Sequence, residues 1–108
     1  MKKYLAAGAA TAIAAGALAI PALAATKSVQ VKDNKFVGTS LTVSKGTTVK
    51  WTWKGKAPHN VTVTKGPAKF HSKTQVKGSF SKKLTKAGTY TILCTIHAPG
   101  MKMTIKVK

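Results

Sequence analysis

From Val29 onward, hydrophobic and polar residues alternate with a period of two in several short runs. Such alternation is typical of β-strands that have one buried face and one solvated face. The frequent Thr and Val residues in these runs agree with strand structure. The alternation assigns the following residues to the buried faces: Val29, Val31, Leu41, Val43, Val49, Trp51, Trp53, His59, Val61, Val63, Tyr90, Ile92, Cys94, Met101, Met103, Ile105 and Val107.

Turn-forming residues separate the runs. Six or more short strands at this spacing predict an all-β domain, a Greek-key β-sandwich. Residues 67–78 show no clean pattern, and we predict a loop there that could include an edge strand. The predicted turns are Asp33-Asn34, Lys45-Gly46, Lys54-Gly55, Lys65-Gly66-Pro67, Lys77-Gly78 and Ala87-Gly88.

The first 24 residues have a different composition from the rest of the chain. A basic start at residues 1–3 is followed by an uncharged, Ala-rich run over residues 4–20 and by Ala22-Leu23-Ala24. This layout predicts a signal peptide over residues 1–24 and a single domain over residues 25–108. The alternative is an uncleaved anchor, but the run is short and weakly hydrophobic for a membrane span. We therefore expect an exported protein, periplasmic or extracellular, without a transmembrane span after cleavage.

The chain is strongly basic, with 19 Lys, no Arg and one acidic residue, Asp33, for a net charge of +18. Removal of residues 1–24 would leave 17 Lys and a net charge of +16. Most of these lysines fall on outward positions or in turns, where they solubilise the surface and discourage edge-to-edge pairing of strands. Specific recognition of nucleic acid uses Arg and exposed aromatic residues. Arg is absent and both Trp residues are on inward positions, so we expect no specific nucleic-acid binding.

A single Cys excludes a disulfide framework and any zinc site built from paired cysteines. In an exported protein, Cys94 is either buried and inert or held by a metal. The segment from Cys94 to Met101 also contains His97, and Pro58-His59-Asn60 lies upstream. One thiolate, two imidazoles and one thioether form the mixed N/S set of a blue-copper site. Each residue alone has an ordinary alternative, as a core or surface residue, but the four together favour copper.

These residues and their neighbours resemble a cupredoxin of the plastocyanin, pseudoazurin and amicyanin kind, over nearly all of residues 29–107. The family binds one type 1 copper ion through a His, a Cys, a second His and a Met. The resemblance therefore implies four ligands, which are His59, Cys94, His97 and Met101. One spacing departs from the family pattern, since three residues separate the second His from the Met where two or four are usual.

Alternation cannot choose between Met101 and Met103 for the axial position, because both lie on the inward parity. Two residues of strand extend about 6.6 Å, so Met103 should pack deeper in the core. The resemblance also implies that Asn60 ties the two ligand segments together by hydrogen bonds. His71 has no motif around it, and we predict a residue on a surface loop.

We expect a small electron carrier that cycles one copper between Cu(I) and Cu(II) between redox protein partners. We do not expect an enzyme, since the ligand set is closed and Asp33 is the only carboxyl side chain. The exposed edge of His97, beside Ala98 and Pro99, is the predicted electron port. The charge predicts acidic partners, and we expect a monomer. Two alternatives are a copper storage or delivery protein and a polycation that binds wall polymers or nucleic acid.

Overall fold

The computed structural model describes residues 25–108, and the predicted signal peptide lies outside these residues. Alternating hydrophobic residues form most of the strands in this part of the chain. None of its residues form a helix long and apolar enough to cross a membrane. The strands are β1 (Thr26–Lys32), β2 (Lys35–Val37), β3 (Ser40–Val43), β4 (Thr47–Trp53), β5 (Thr62–Lys65), β6 (Ser79–Leu84), β7 (Gly88–Leu93) and β8 (Lys102–Val107).

The strands form two four-stranded sheets, in the orders β2-β1-β4-β6 and β3-β8-β7-β5. Each sheet contains one parallel pair, β1 with β4 in the first and β3 with β8 in the second. The other neighbours pair antiparallel. The prediction of an all-β sandwich is therefore confirmed.

The core consists of the side chains that alternation placed inward. Each of those positions is buried except Leu41, which is half-buried. Trp51 lies among Phe70 and Phe80, with ring centroids 6.2 and 5.8 Å away. All the lysines in residues 25–108 are exposed, as predicted for lysines at outward positions and in turns. The packing of the two sheets therefore depends on burial of the apolar face of each strand, and the exposed lysines take no part in it.

Two strands, β2 and β6, were not predicted individually. Strand β6 is at the edge of its sheet, and its Lys82 and Lys83 are consecutive exposed residues. An edge strand has a neighbour on one side only, so charged residues can occupy successive positions in it and still reach water. Such a strand lacks the alternation of hydrophobic and polar residues by which the others were predicted. Residues 67–78 contribute only isolated bridges, from His71 to Thr62 and from Gln75 to His59.

Strand β5 begins at Thr62, although the alternation predicted a strand that begins at His59. The backbone of residues 59–61 bonds to residues 72–75 instead of to a neighbouring strand of the sheet. The His59 and Gln75 amides each donate to the other's carbonyl at 3.0 Å, and the Ser72 amide donates to the Val61 carbonyl at 2.8 Å. His59 therefore lies in the connection between β4 and β5, where backbone hydrogen bonds to residues 72–75 hold it.

Candidate metal centre

Three side chains from two distant segments bring their donor atoms together. His59, Cys94 and His97 form one group whose ligand atoms all lie within 4.8 Å of one another. The two Nδ1 atoms are 3.1 Å apart. Cys94 Sγ lies 3.9 Å from Nδ1 of His59 and 3.4 Å from Nδ1 of His97. The structure therefore collects two imidazole nitrogens and one thiol sulfur around a single point.

The loop between β7 and β8 holds Cys94 and His97 by folding back on itself. The His97 amide donates to the Cys94 carbonyl at 3.2 Å, and the Met101 amide donates to the His97 carbonyl at 3.2 Å. The Cys94 amide closes the loop by donating to the Met101 carbonyl at 3.1 Å. Cys94 is completely buried, whereas His97 remains half-buried at the surface.

His59 is anchored on several sides and is 0 % exposed. Its backbone pairs with Gln75. Its carbonyl also accepts a hydrogen bond from the indole Nε1 of Trp53 at 3.1 Å. Because Trp53 itself is buried at the end of β4, the backbone of His59 is fixed to the core of the sandwich.

The chain's only acidic residue, Asp33, contacts the other nitrogen of the His59 ring. Oδ1 of Asp33 lies 2.9 Å from Nε2 of His59. The same carboxylate accepts hydrogen bonds from the amides of Lys56 and Ala57 at 3.0 Å. The hydrogen bond with His59, followed by those of the two amides, lowers the pKa of Asp33 to about 2. The carboxylate is therefore ionised at neutral pH.

Asp33 was not predicted to belong to the site. The only signal was that it is the single acid in a chain with 19 Lys. It lies 26 residues before His59, and no local pattern connects two residues at that separation.

Asn60 connects the two segments that carry the donor atoms. Its Nδ2 donates to the hydroxyls of Thr74 and Thr95 at 3.0 and 2.8 Å. Its Oδ1 accepts from the Thr95 amide at 3.1 Å and from the Thr62 hydroxyl at 2.9 Å. Thr95 directly follows Cys94, so this buried amide ties the His59 segment to the Cys94 loop.

The two candidate methionines occupy different surroundings, although both are 1 % exposed. Met101 is bonded through its backbone to both Cys94 and His97. The sulfur of Met103 accepts a hydrogen bond from Nε1 of Trp51 at 3.4 Å, inside the core. His71 is exposed and does not belong to the group, as predicted for a surface loop residue.

The donor atoms fit a soft first-row metal ion. Their separations leave room for one ion at the usual metal–nitrogen distance of about 2 Å. Donation from Nε2 of His59 to Asp33 leaves Nδ1 with a free lone pair that faces the other two donors, as a metal ligand requires. Two imidazoles and a thiolate in one plane are the strong ligands of a blue-copper site.

The sequence comparison agrees with this chemistry. Residues 24–108 match the family model of copper binding proteins, plastocyanin/azurin family. The chain therefore belongs to the plastocyanin/azurin family of copper-binding proteins. It has no significant match among the curated proteins.

Solved structures of amicyanin are similar to this chain. An oxidised amicyanin variant is 30% identical, with a TM-score of 0.68, and the match covers 76% of this chain and 81% of that one. A Cu(I) amicyanin variant is 32% identical, with a TM-score of 0.68, and the match covers 77% of this chain and 82% of that one.

A copper-containing nitrite reductase from Thermus scotoductus is 28% identical, with a TM-score of 0.69. That match covers 76% of this chain but only 22% of the reductase. The predicted resemblance to cupredoxins is confirmed. The protein is a copper-binding electron-transfer protein with one type 1 copper as its cofactor.

Proposed function

We propose that this protein is a small exported carrier that transfers single electrons between redox proteins. His59, Cys94 and His97 would hold its copper as the three strong ligands, and Met101 would add a weaker thioether ligand. The observation that supports the proposal is the meeting of two Nδ1 atoms and one Sγ atom, from segments 35 residues apart, at one buried point. The bound copper supplies a one-electron Cu(II)/Cu(I) couple.

The axial assignment rests on the different contacts of the two methionines. The Met103 sulfur is engaged with the Trp51 indole in the core. Met101 lies beside Cys94 and His97 through its backbone hydrogen bonds, and its side chain is buried. A weak axial thioether from Met101 would tune the reduction potential more than it holds the ion.

Rigidity of the site favours electron transfer over enzymatic chemistry. The Asn60 hydrogen bonds and the Trp53–His59 contact hold the ligands in one arrangement, which limits reorganisation when the copper changes charge. Asp33 is the only carboxyl side chain, and it is engaged with His59 and two backbone amides. The described residues therefore offer no separate acid–base pair, and we propose that the chain by itself is not an enzyme.

Electrons would enter and leave through the exposed edge of His97. The ring is half-buried, and Ile96, Ala98 and Pro99 beside it are exposed, with Ile96 at 51%. This small apolar surface interrupts a coat of exposed lysines, so an acidic redox protein is the partner class that we propose. Opposite charges would steer the encounter from a distance.

Stopped-flow electron transfer tests this function. With an acidic partner, the second-order rate constant should fall as ionic strength rises, because salt screens the attraction. With a basic partner, the rate constant should rise under the same conditions. A rate constant that increases with salt for the acidic partner would contradict the steering.

A copper delivery protein would behave differently from a carrier. A carrier should oxidise and reduce reversibly without losing its copper. Transfer of Cu(I) to a chelating acceptor on the timescale of electron transfer would instead support delivery. Export is tested by mass spectrometry of the protein recovered outside the cytoplasm. Its chain should begin at residue 25 if cleavage follows Ala24.

A further inference from the structure

We propose that Asp33 is a positioning residue of the copper site, which fixes the ring of His59 and lowers the reduction potential. This inference rests on the proposed role of His59 as a ligand. Asp33 reaches Nε2 of His59 at 2.9 Å, on the opposite side of the ring from the Nδ1 that faces Cys94 and His97. Carboxylates that accept the outer N–H of a metal-binding His fix its tautomer and strengthen the ligand.

The fold builds this contact through the parallel pairing of β1 and β4. Val31 of β1 is in register with Trp53 of β4, and the Lys54 amide donates to the Val31 carbonyl at 2.8 Å. Two residues further along each segment, just beyond the strand ends, Asp33 lies against Gly55. The two segments therefore leave the sheet side by side, and one of them continues to His59.

Gly55 leaves the space that the carboxylate occupies. A Cβ atom at residue 55 would lie 2.6 Å from Cγ of Asp33 and would overlap Oδ1. The amides that follow, from Lys56 and Ala57, both donate to the carboxylate. These contacts hold the side chain of Asp33 in one orientation, toward the ring of His59, although that side chain is 44% exposed.

The remaining charges of the molecule make this contact distinctive. All 17 lysines of residues 25–108 are exposed, yet the side chain that contacts the Asp33 carboxylate in this part of the chain is His59. A negative charge next to a ligand stabilises Cu(II) more than Cu(I), because the attraction grows with the charge of the ion. Asp33 therefore shifts the couple toward the oxidised state.

The test compares Asp33→Asn with two other variants. Asp33→Asn removes the charge and keeps the size of the side chain. Gly55→Ala keeps the charge and displaces the carboxylate from His59. Gln30→Lys is the control, because it makes the same change of net charge at an exposed position of β1. Cyclic voltammetry of the copper proteins gives the potentials.

In Asp33→Asn, we expect Cu(II) affinity to fall about tenfold relative to Cu(I) affinity. That change raises the one-electron potential by about 59 mV. Gly55→Ala should also raise it, whereas Gln30→Lys should change it much less. A second measurement uses the metal-free protein, in which proton NMR should show a slowly exchanging Nε2–H of His59, because the carboxylate accepts this proton. In Asp33→Asn and Gly55→Ala this proton should exchange with water faster, since the acceptor is neutral in the first variant and displaced in the second.

Three outcomes would overturn the inference. Equal potentials for Asp33→Asn and Gln30→Lys would show that Asp33 acts only through net charge. An unchanged exchange rate of the His59 Nε2–H in both Asp33→Asn and Gly55→Ala would show that the carboxylate does not position the ring. A His59→Ala variant whose visible spectrum with copper is the same as that of the wild type would show that His59 is not a ligand. Only the third outcome would also contradict the proposed function.

Discussion

The two imidazoles of the site are held in contrasting ways. His59 is completely buried, and its backbone, its carbonyl and its outer nitrogen contact Gln75, Trp53 and Asp33. His97 is half-buried and is held within a loop that bonds mainly to itself. One ring is part of the core, and the other is part of the surface. A carrier needs both, since a fixed ring preserves the geometry and an open ring brings the metal close to a partner.

The largest expected effect comes from removing the atom that both rings face. Cys94→Ala should abolish the intense blue band, because that band arises from charge transfer between a Cys thiolate and Cu(II). Copper should then no longer stabilise the fold, whereas wild type gains about 2.7 kcal/mol at a hundredfold excess of metal over its Kd. The visible spectrum and urea unfolding, with and without Cu(II), are the measurements. A Cys94→Ala protein that stays intensely blue would exclude Cys94 as a ligand.

Exogenous imidazole tests the difference in exposure between the two histidines directly. His97→Gly opens a gap at the surface, and added imidazole should enter it and restore the blue band. His59→Gly leaves its gap inside the protein, where the ring was 0 % exposed, so the same imidazole concentration should restore little or no colour. Spectral titration of both variants with imidazole decides this. Equal recovery would mean that burial does not distinguish the two positions.

The smallest effect, a shift of potential without loss of copper, sharpens the role of the open loop. Met101→Leu should keep the copper and the colour but raise the reduction potential, because a weak axial thioether tunes the metal rather than retaining it. Met103→Leu removes the acceptor of the Trp51 indole and should leave the potential nearly unchanged. Cyclic voltammetry of both variants is the measurement. The reverse pattern would assign the axial position to Met103.

Strand content and the buried faces could be predicted from the sequence because both depend on local alternation. Val49, Trp51 and Trp53 illustrate this, since all three are buried as their parity predicted. The predicted start of β5, at His59, was wrong by three residues. Asn60 and its neighbours form hydrogen bonds with residues 72–75 rather than with the sheet. That choice depends on a contact between two segments, and a pattern within one segment does not contain it.

The candidate donors were also accessible to sequence analysis, since Cys94, His97 and Met101 lie in one short segment and His59 lies in a second recognisable one. The structure brings His59, Cys94 and His97 together at one point. Asn60 donates hydrogen bonds to Thr74 and Thr95, and the resemblance to cupredoxins implied that Asn60 would connect the ligand segments. What the sequence left open was how tightly each ring is held.

Alternation, charge and motif spacing were enough to predict an all-β chain, its inward residues, its lysine coat and a mixed N/S donor set. The contact of Asp33 with His59, and the burial of His59 while His97 stays open to solvent, depend on the tertiary structure. The physical reason is that alternation is a property of one strand, whereas register is a property of two. The parallel pairing of β1 with β4, which places Asp33 against Gly55, is set by packing of the whole sandwich.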